Sequence, residues 1–377
     1  MDQKETQEIL NRYLNFLEQD KNNLNLLLSV SDCYRKLGDW PKAQQYIDRA
    51  KQINPNACLS QQGLLDLHSG KFTEAKEAFT KILSQEDLPA HRYSLAFCLY
   101  LNYEIEEATR ILRPVIQNNE SFYDAQLLMA RLLYNQHQLD EAINILEQFA
   151  NKYGGTGESK GLLSLLYYDN NDKTQAEKLM QEALLLEPNN YDARLVRLMF
   201  RLERGEATVN EIKKLIATNA NDCRLWFALG TIYLRAVNFP ASQEAFLKAA
   251  ELQPTFYDNW ISLGWCQLFQ NDLIAAKRSY QQATVLAEES ADGWGGLALV
   301  SALNNQLTEA DALIAKAKEL SSNDCFLADV AHIICLNHSQ PEQANKQFNK
   351  LFPNAAVQIN NAVALALKER DSHTSLH

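Results

Sequence analysis

The apolar residues of this chain recur with a period of 34 residues. This period is far longer than the side-chain repeat within a single helix or strand. One position of each period holds a small residue, as in Ala142 and Ala176. The same position later reads Ser242, Ala276, Ala310 and Ala344. Good helix formers such as leucine, alanine and glutamate are abundant, whereas glycine and proline are scarce. The pattern therefore predicts a tandem array of two-helix repeats.

Large and small residues occupy fixed positions within each period. In the second helix a large apolar residue comes first and a small one follows three positions later. The large residues are Phe246, Tyr280, Ile314 and Phe348, and the small ones are Ala249, Ala283 and Ala317. In the first helix, Trp226, Trp260 and Trp294 are followed by Gly230, Gly264 and Ala298. Because a helix pair cannot bury its apolar faces alone, such repeats must stack on one another.

The unit that begins near Trp226 resembles the tetratricopeptide repeat family. It reads Trp226, Leu229, Gly230, Tyr233, Ser242, Phe246, Ala249 and Pro254, and only the serine departs from the family pattern. The first unit also resembles it, through Tyr34, Ala43, Ile47, Ala50 and Pro55. The resemblance covers nearly the whole chain. It implies an all-α fold, namely a right-handed α-solenoid (superhelix) of about ten helix-turn-helix repeats with a capping helix at each end.

Four segments follow from this interpretation. They are an N-terminal capping helix in residues 1–23, the array in 24–355, a C-terminal capping helix in 356–370 and a flexible tail in 371–377. Within the array, residues 191–222 are irregular. The step from Ala176 to Ser242 is 66 residues, two short of two full repeats. We expect the turn around Gly205 to be shortened, with Thr208 in the position of the small residue.

Composition excludes several classes of protein. The net charge of −11 argues against a nucleic-acid or anionic-membrane binder, since both need an excess of lysine and arginine. No apolar stretch is long enough to be inserted in a membrane. The seven cysteines are odd in number and form no C-x-x-C pair, which favours a reduced, cytoplasmic protein.

The sequence contains no motif for catalysis, a cofactor or a metal ion. The run Gly154–Gly157 lacks the ending of a phosphate-binding loop, so we interpret it as a turn between repeats. His332 and Cys335 would share a helix face, but no third and fourth metal ligand accompanies them. The chain is therefore predicted not to be an enzyme.

The family resemblance implies that the first helix of each repeat lines a concave groove. Aromatic residues on that face are Tyr100, Tyr134 and Tyr168, which are spaced by 34, together with Tyr93, Phe97, Phe227, Trp265 and Phe269. Arginines follow a helical stripe at Arg194, Arg197, Arg201 and Arg204, and Arg131, Arg224 and Arg235 lie on neighbouring first helices. Alternatively, each tyrosine packs on its own neighbours, and nearby acidic residues such as Glu203 and Glu206 neutralise the arginines.

These features predict a non-catalytic scaffold or adaptor that binds a protein or peptide segment. The segment would present apolar anchors and acidic groups to Tyr100, Arg131, Tyr134, Tyr168, Arg197, Arg201, Arg204, Arg224, Phe227 and Trp265. A peptide-sensing regulatory receptor is an alternative, as is a chaperone or assembly factor for a secretion or surface-structure system. Self-association as a homodimer is a further alternative.

Overall fold

The computed structural model describes residues 3–321 and 325–352. In these residues the chain forms 21 α-helices and one short 3₁₀ turn, with no β-strand. The chain divides into two compact units, Met1–Arg197 and Leu198–His377, which we call unit 1 and unit 2. The predicted C-terminal capping helix (356–370) and tail (371–377) lie outside the described residues. The all-α prediction is confirmed.

In unit 1 a single helix, α1 (Gln3–Gln19), precedes a series of helix pairs. The pairs are α2 (Leu24–Lys36) with α3 (Trp40–Lys51), α4 (Leu59–His68) with α5 (Phe72–Gln85), α6 (Pro89–Leu101) with α7 (Ile105–Asn118), α8 (Tyr123–Asn135) with α9 (Leu139–Tyr153), and α10 (Gly157–Asp169) with α11 (Lys173–Leu186). The 3₁₀ turn Asn56–Cys58 leads into α4. Helix α1 buries Leu10 and Leu17 in a cluster shared with α2 and α3.

Helix α12 (Tyr191–Glu203) crosses the boundary between the units, and unit 2 continues from it. The remaining helices are α13 (Val209–Ile216), α14 (Cys223–Arg235), α15 (Phe239–Leu252), α16 (Tyr257–Phe269), α17 (Leu273–Leu286), α18 (Ala291–Leu303), α19 (Leu307–Leu320), α20 (Phe326–Ser339) and α21 (Pro341–Leu351). From α2 to α11 in unit 1 and from α14 to α21 in unit 2, each first helix packs on its own second helix, and each second helix packs on the next first helix. This is how an α-solenoid is built.

The small and large positions read from the sequence pack against one another. Tyr280, in the second helix α17, is fully buried between two first helices. A Cβ atom added at Gly264 would lie 2.6 Å from the Tyr280 ring, and one added at Gly296 would lie 2.3 Å from it. Glycine is therefore required at both positions, because any larger residue would occupy the space of the ring.

Every first helix from α2 to α18 is followed, in the turn to its second helix, by a residue with left-handed backbone conformation. In unit 1 these residues are Gly38, Gly70, Tyr103, His137 and Asn171, and in unit 2 they are Gly205, Val237, Asn271 and Asn305. The following residue returns its N–H to the carbonyl of the helix, as Glu104 does to Leu99 over 2.9 Å. This is the Schellman cap, in which glycine is the usual residue. Most positions here hold another residue, so the sequence pattern did not indicate the cap.

The irregular sixth repeat differs from our expectation. Its turn, residues 204–208, is longer than the three-residue turns such as 136–138, and α13 has 8 residues where α11 has 14. The shortening therefore lies in the second helix. Thr208 does not occupy the position of the small residue; its side chain caps α13 by accepting a hydrogen bond from the N–H of Glu211. Fully buried Ile212 takes the position instead.

Three tryptophans in unit 2 make one and the same contact. The indole Nε1 of Trp226, Trp260 and Trp294 donates to a backbone carbonyl six residues earlier, over 2.8, 2.7 and 2.8 Å. Each ring is half-buried. The tryptophans thus tie the loop before each first helix to that helix, which agrees with a packing role.

Candidate functional site

Helix α6 of unit 1 carries a row of three stacked aromatic rings. Tyr93 and Phe97 have ring centroids 6.2 Å apart, and Phe97 and Tyr100 have centroids 6.3 Å apart. The rings share a helix face because their residues are three or four positions apart. All three are half-buried and belong to the margin of the core of unit 1. We call Tyr93, Phe97 and Tyr100 the aromatic row.

Arg131, on α8, forms an ion pair within the chain. Its guanidinium donates to Asp192 Oδ2 over 2.8 Å, and the Asp192 side chain is 6% exposed. Asp192 stands at the start of α12, within unit 1. We predicted that Arg131 binds an acidic group of a ligand, but a carboxylate of the protein itself already binds it.

Two further tyrosines of the predicted site also have internal partners. The hydroxyl of Tyr134 donates to Asp169 Oδ2 over 2.5 Å. The ammonium of Lys173 lies 3.2 Å from the centroid of the Tyr168 ring, which is a cation–π contact. Both tyrosines are half-buried. The alternative that each tyrosine packs on its own neighbours therefore describes Tyr134 and Tyr168 well.

The arginine stripe of α12 is divided between the two units. Arg194 and Arg197 belong to unit 1, and neither forms an ion pair with any described residue. In unit 2, Arg201 donates to Glu211 over 3.0 Å and to the carbonyl of Glu206 over 2.8 Å. Arg204 stacks on the ring of Phe200, with the guanidinium carbon 5.8 Å from its centroid.

The other arginines of unit 2 have partners as well. Arg224 makes two hydrogen bonds to Asp222, of 2.9 and 2.7 Å. Arg235 donates to the carbonyl of Leu202 over 2.8 Å. These contacts engage part of each guanidinium group with the chain itself, so both groups are less available to an acidic ligand.

Unit 2 has its own aromatic cluster on its first helices. Trp265 and Phe269 have ring centroids 5.8 Å apart, and Trp265 and Phe326 have centroids 6.1 Å apart. Phe269 is 57% exposed and Phe326 is 46% exposed. Phe227 points elsewhere: it packs on Phe246 and Phe256 at 5.7 and 4.9 Å. We call Trp265, Phe269 and Phe326 the aromatic cluster of unit 2.

Sequence reasoning missed several residues beside these rings. They are Phe326 in unit 2 and the carboxylates Asp124, Glu158 and Asp192 in unit 1. The three carboxylates recur at the same 34-residue step as the alanines that set the register. That recurrence is visible in the sequence.

The described residues show no arrangement of side chains that indicates catalysis. They contain no grouping of three side chains able to hold a metal ion. Within the run Gly154–Gly157, residues 154–156 form the connection between α9 and α10, and Gly157 begins α10. All seven cysteines are free and buried, and burial raises the pKa of Cys98 to about 12. In the described part of the chain, no helix has the length and apolar character needed to cross a membrane.

Comparison with known families identifies the class of the protein. Residues 157–190 match the tetratricopeptide repeat model, and residues 68–149 match the model of anaphase-promoting complex, cyclosome, subunit 3. These matches fall on helices α5 to α11, where the helix pairs are regular. The chain contains tetratricopeptide repeats.

The relatives are longer proteins that the chain matches in part. Superkiller protein 3 of Saccharomyces cerevisiae is 28% identical over 117 residues, which is 31% of this chain and 8% of that protein. Tetratricopeptide repeat-containing protein trd-1 of Caenorhabditis elegans is 28% identical over 158 residues, 41% of this chain and 20% of that protein. The human IFIT1 dimer with m7Gppp-AAAA is 15% identical, with a TM-score of 0.51 over 100% of this chain and 96% of that chain. That likeness shows the fold alone.

Proposed function

We propose that the chain is a non-catalytic scaffold or adaptor that binds a segment of another protein on the faces of its first helices. The observation that carries the proposal is the pair of half-exposed aromatic surfaces, the aromatic row of unit 1 and the aromatic cluster of unit 2. Aromatic rings provide large contact areas at low cost in side-chain entropy, and they are enriched in protein interfaces.

The chain is able to bury aromatic rings completely where packing demands it. Phe79, Phe246 and Tyr280 are each 0–1% exposed. The rings of Tyr100, Trp265 and Phe269 retain exposed surface although they lie beside the same cores. Retained apolar surface of this kind supports a binding role.

A nucleic acid is a less suitable ligand for these faces. Human IFIT1 was solved with a capped oligonucleotide, but a ligand of that kind needs free cationic groups. Here the net charge is −11, and Arg131, Arg201 and Arg224 are occupied by carboxylates of the chain. An acidic group on a protein partner would bind to Arg197, which is exposed.

The two alternatives differ in the size of the ligand. A peptide-sensing receptor would bind a free short peptide, whereas a scaffold, or an assembly factor for a secretion or surface-structure system, would bind a folded or partly folded protein. Titration with a short peptide from the part of the partner that contacts this chain, compared with titration with the intact partner, separates the two alternatives.

Seven free, buried cysteines support our placement of the protein in the reducing cytoplasm.

Site-specific photo-cross-linking tests the proposal. A benzoylphenylalanine residue replaces Tyr100 or Phe269 in the full chain, and Tyr103 serves as the control because it lies in the following turn and is 82% exposed. We expect defined cross-links to one protein from positions 100 and 269 and none from position 103. Equal labelling from all three positions, or no protein cross-linked at positions 100 and 269, would overturn the proposal.

A further inference from the structure

We infer that the first-helix face of unit 1 binds a basic segment of its protein partner, with a lysine or arginine side chain held between Asp124 and Glu158. The inference rests on the proposed function, because it names the chemistry of the partner that this face accepts. It also reverses the expectation of an acidic partner for the surface around Asp124 and Glu158.

Two unpaired carboxylates provide the binding groups. Asp124 is the second residue of α8 and Glu158 is the second residue of α10. Both side chains are exposed, and within residues 3–321 and 325–352 neither accepts a hydrogen bond or forms an ion pair. Both act electrostatically on Tyr93 of the aromatic row, whose pKa is raised to about 12 by burial and by these two charges. Contacts at the starts of the two helices also place these groups together. The Tyr93 ring packs on Phe122, two residues before Asp124, with ring centroids 5.2 Å apart. The hydroxyl group of Tyr123, next to Asp124, is hydrogen-bonded to that of Thr156, two residues before Glu158. Asp124, Glu158 and Tyr93 therefore lie in one neighbourhood.

The charge of this neighbourhood is strongly negative. Glu158 experiences one cation, Arg131, and three anions, Glu187, Asp124 and Asp192. The guanidinium of Arg131 is already bonded to Asp192. Burial is the largest influence on Glu158, and together with these anions it raises the pKa of the carboxyl group. A carboxylate that the fold leaves partly desolvated and uncompensated would gain most from a cation supplied from outside.

The other nearby cation is engaged elsewhere. Lys160, two residues after Glu158, forms an ion pair with Glu182 on the second helix α11. It therefore does not neutralise the face that carries Asp124. An acidic segment would be repelled by Asp124, Glu158 and Glu187, and the guanidinium of Arg131 is already paired. A basic segment would supply the cation that Asp124 and Glu158 lack.

The aromatic row suits the rest of a basic side chain. Lysine and arginine have long apolar stems that lie on apolar surface while the charged end reaches a polar partner. Their charged groups also bind to the faces of aromatic rings. The rings of Tyr93, Phe97 and Tyr100 form such a surface beside the carboxylates. The face therefore offers both of the contacts that a basic residue makes.

Fluorescence anisotropy with three labelled 12-residue probes tests the inference on the full chain. The probes alternate leucine with lysine, glutamate or serine. We expect the lysine probe to bind at least about tenfold more tightly than the glutamate probe, which corresponds to about 1.4 kcal/mol. The variant Asp124→Asn with Glu158→Gln should lose about tenfold in affinity for the lysine probe. The matched control is Glu288→Gln with Glu289→Gln, which removes the same net charge from exposed positions of unit 2.

The outcomes separate this inference from the proposed function. Equal loss in both double variants would show that the lysine probe responds only to net charge, and the inference would fall. Preference for the glutamate or serine probe would also overturn it, yet protein cross-links from position 100 would still uphold the scaffold. Loss of those cross-links would remove the scaffold proposal itself, whatever the probes do.

Discussion

Arg131 and Asp192 are joined by a 2.8 Å hydrogen bond although they are 61 residues apart. The contact spans two repeats, from α8 to α12, and passes the intervening first helix α10. In unit 2 the same separation relates Trp265 and Phe326, whose ring centroids are 6.1 Å apart. One pair of repeat positions thus holds an ion pair in unit 1 and an aromatic pair in unit 2.

A glycine accompanies each of these long-range contacts. Gly161 lies on α10, and a Cβ atom there would be 2.0 Å from Asn190 Oδ1. Gly295 lies on α18, and a Cβ atom there would be 2.7 Å from the sulfur of Cys325 and 3.0 Å from the N of Ala328. Because both glycines allow the next first helix to approach closely, side chains two repeats apart are able to meet.

Removal of Arg131 should destabilise unit 1. In Arg131→Met the Asp192 carboxylate stays almost fully buried but loses its cation, which we expect to cost about 2 kcal/mol. Denaturant unfolding followed by circular dichroism measures the loss. The double variant Arg131→Met with Asp192→Asn should recover part of it, since no buried charge remains. If the single variant is as stable as the parent, the pair contributes no more than a surface ion pair.

The Glu158 carboxyl group should make stability depend on pH in a predictable direction. Its pKa is raised in the folded protein, so the folded state holds the proton more tightly than the unfolded state does. Wild-type stability should therefore decline as pH rises from the ordinary pKa of a glutamate through the raised folded value.

The variant Glu158→Gln lacks this titration and isolates the effect. We expect it to melt at a higher temperature than the parent at neutral pH, with the difference disappearing below the ordinary pKa. The groups that act on Glu158 (Arg131, Asp124, Asp192 and Glu187) remain in both proteins. Glu289→Gln controls for the change in net charge. A melting difference of the opposite sign at neutral pH would contradict the raised pKa.

The repeat positions were predictable because they follow from packing at fixed spacing. The 34-residue step assigned Tyr280 to a large position and Gly264 to a small one, and the structure places the ring against the glycine. The partner of Arg131 was not predictable in the same way. Sequence reasoning considered nearby acidic residues, whereas Asp192 is 61 residues from Arg131. Contacts across two repeats depend on where glycines let helices approach, and residue type alone does not show this.

The sixth repeat shows a second limit of the repeat pattern. The spacing between repeat positions in the sequence gives the net change in the length of the repeat. It does not show which parts of the change fall in the turn and which fall in the helix. A longer turn, a shorter α13 and a longer connection to α14 (residues 217–222) together produce the observed deficit of two residues. The search for a small residue led to Thr208, although a short second helix leaves room for Ile212 in that buried position.

The hydroxyl group of Tyr280 should reduce stability. It is buried and has no hydrogen-bond partner in the part of the chain that the structure describes. We expect Tyr280→Phe to stabilise unit 2 by about 1 kcal/mol, because the desolvation penalty of the hydroxyl is removed. Thermal unfolding measures the change. In the control Tyr257→Phe, a 2.6 Å hydrogen bond to Ser290 is lost, so stability should fall. Equal destabilisation by both changes would mean that the Tyr280 hydroxyl is satisfied.

Val237 should be a site at which glycine stabilises the protein. It has φ of 59° in the turn after α14 and is 68% exposed, so its side chain contributes little packing while its branched Cβ is strained. We expect Val237→Gly to gain about 1 kcal/mol, because the left-handed penalty of an L-residue exceeds the added entropy of the unfolded chain. The control Val237→Ala removes the branch but keeps a Cβ, so it should gain less. Thermal unfolding of the parent and the two variants provides the comparison. If the glycine variant is less stable than the alanine variant, the side chain of Val237 does not strain the cap.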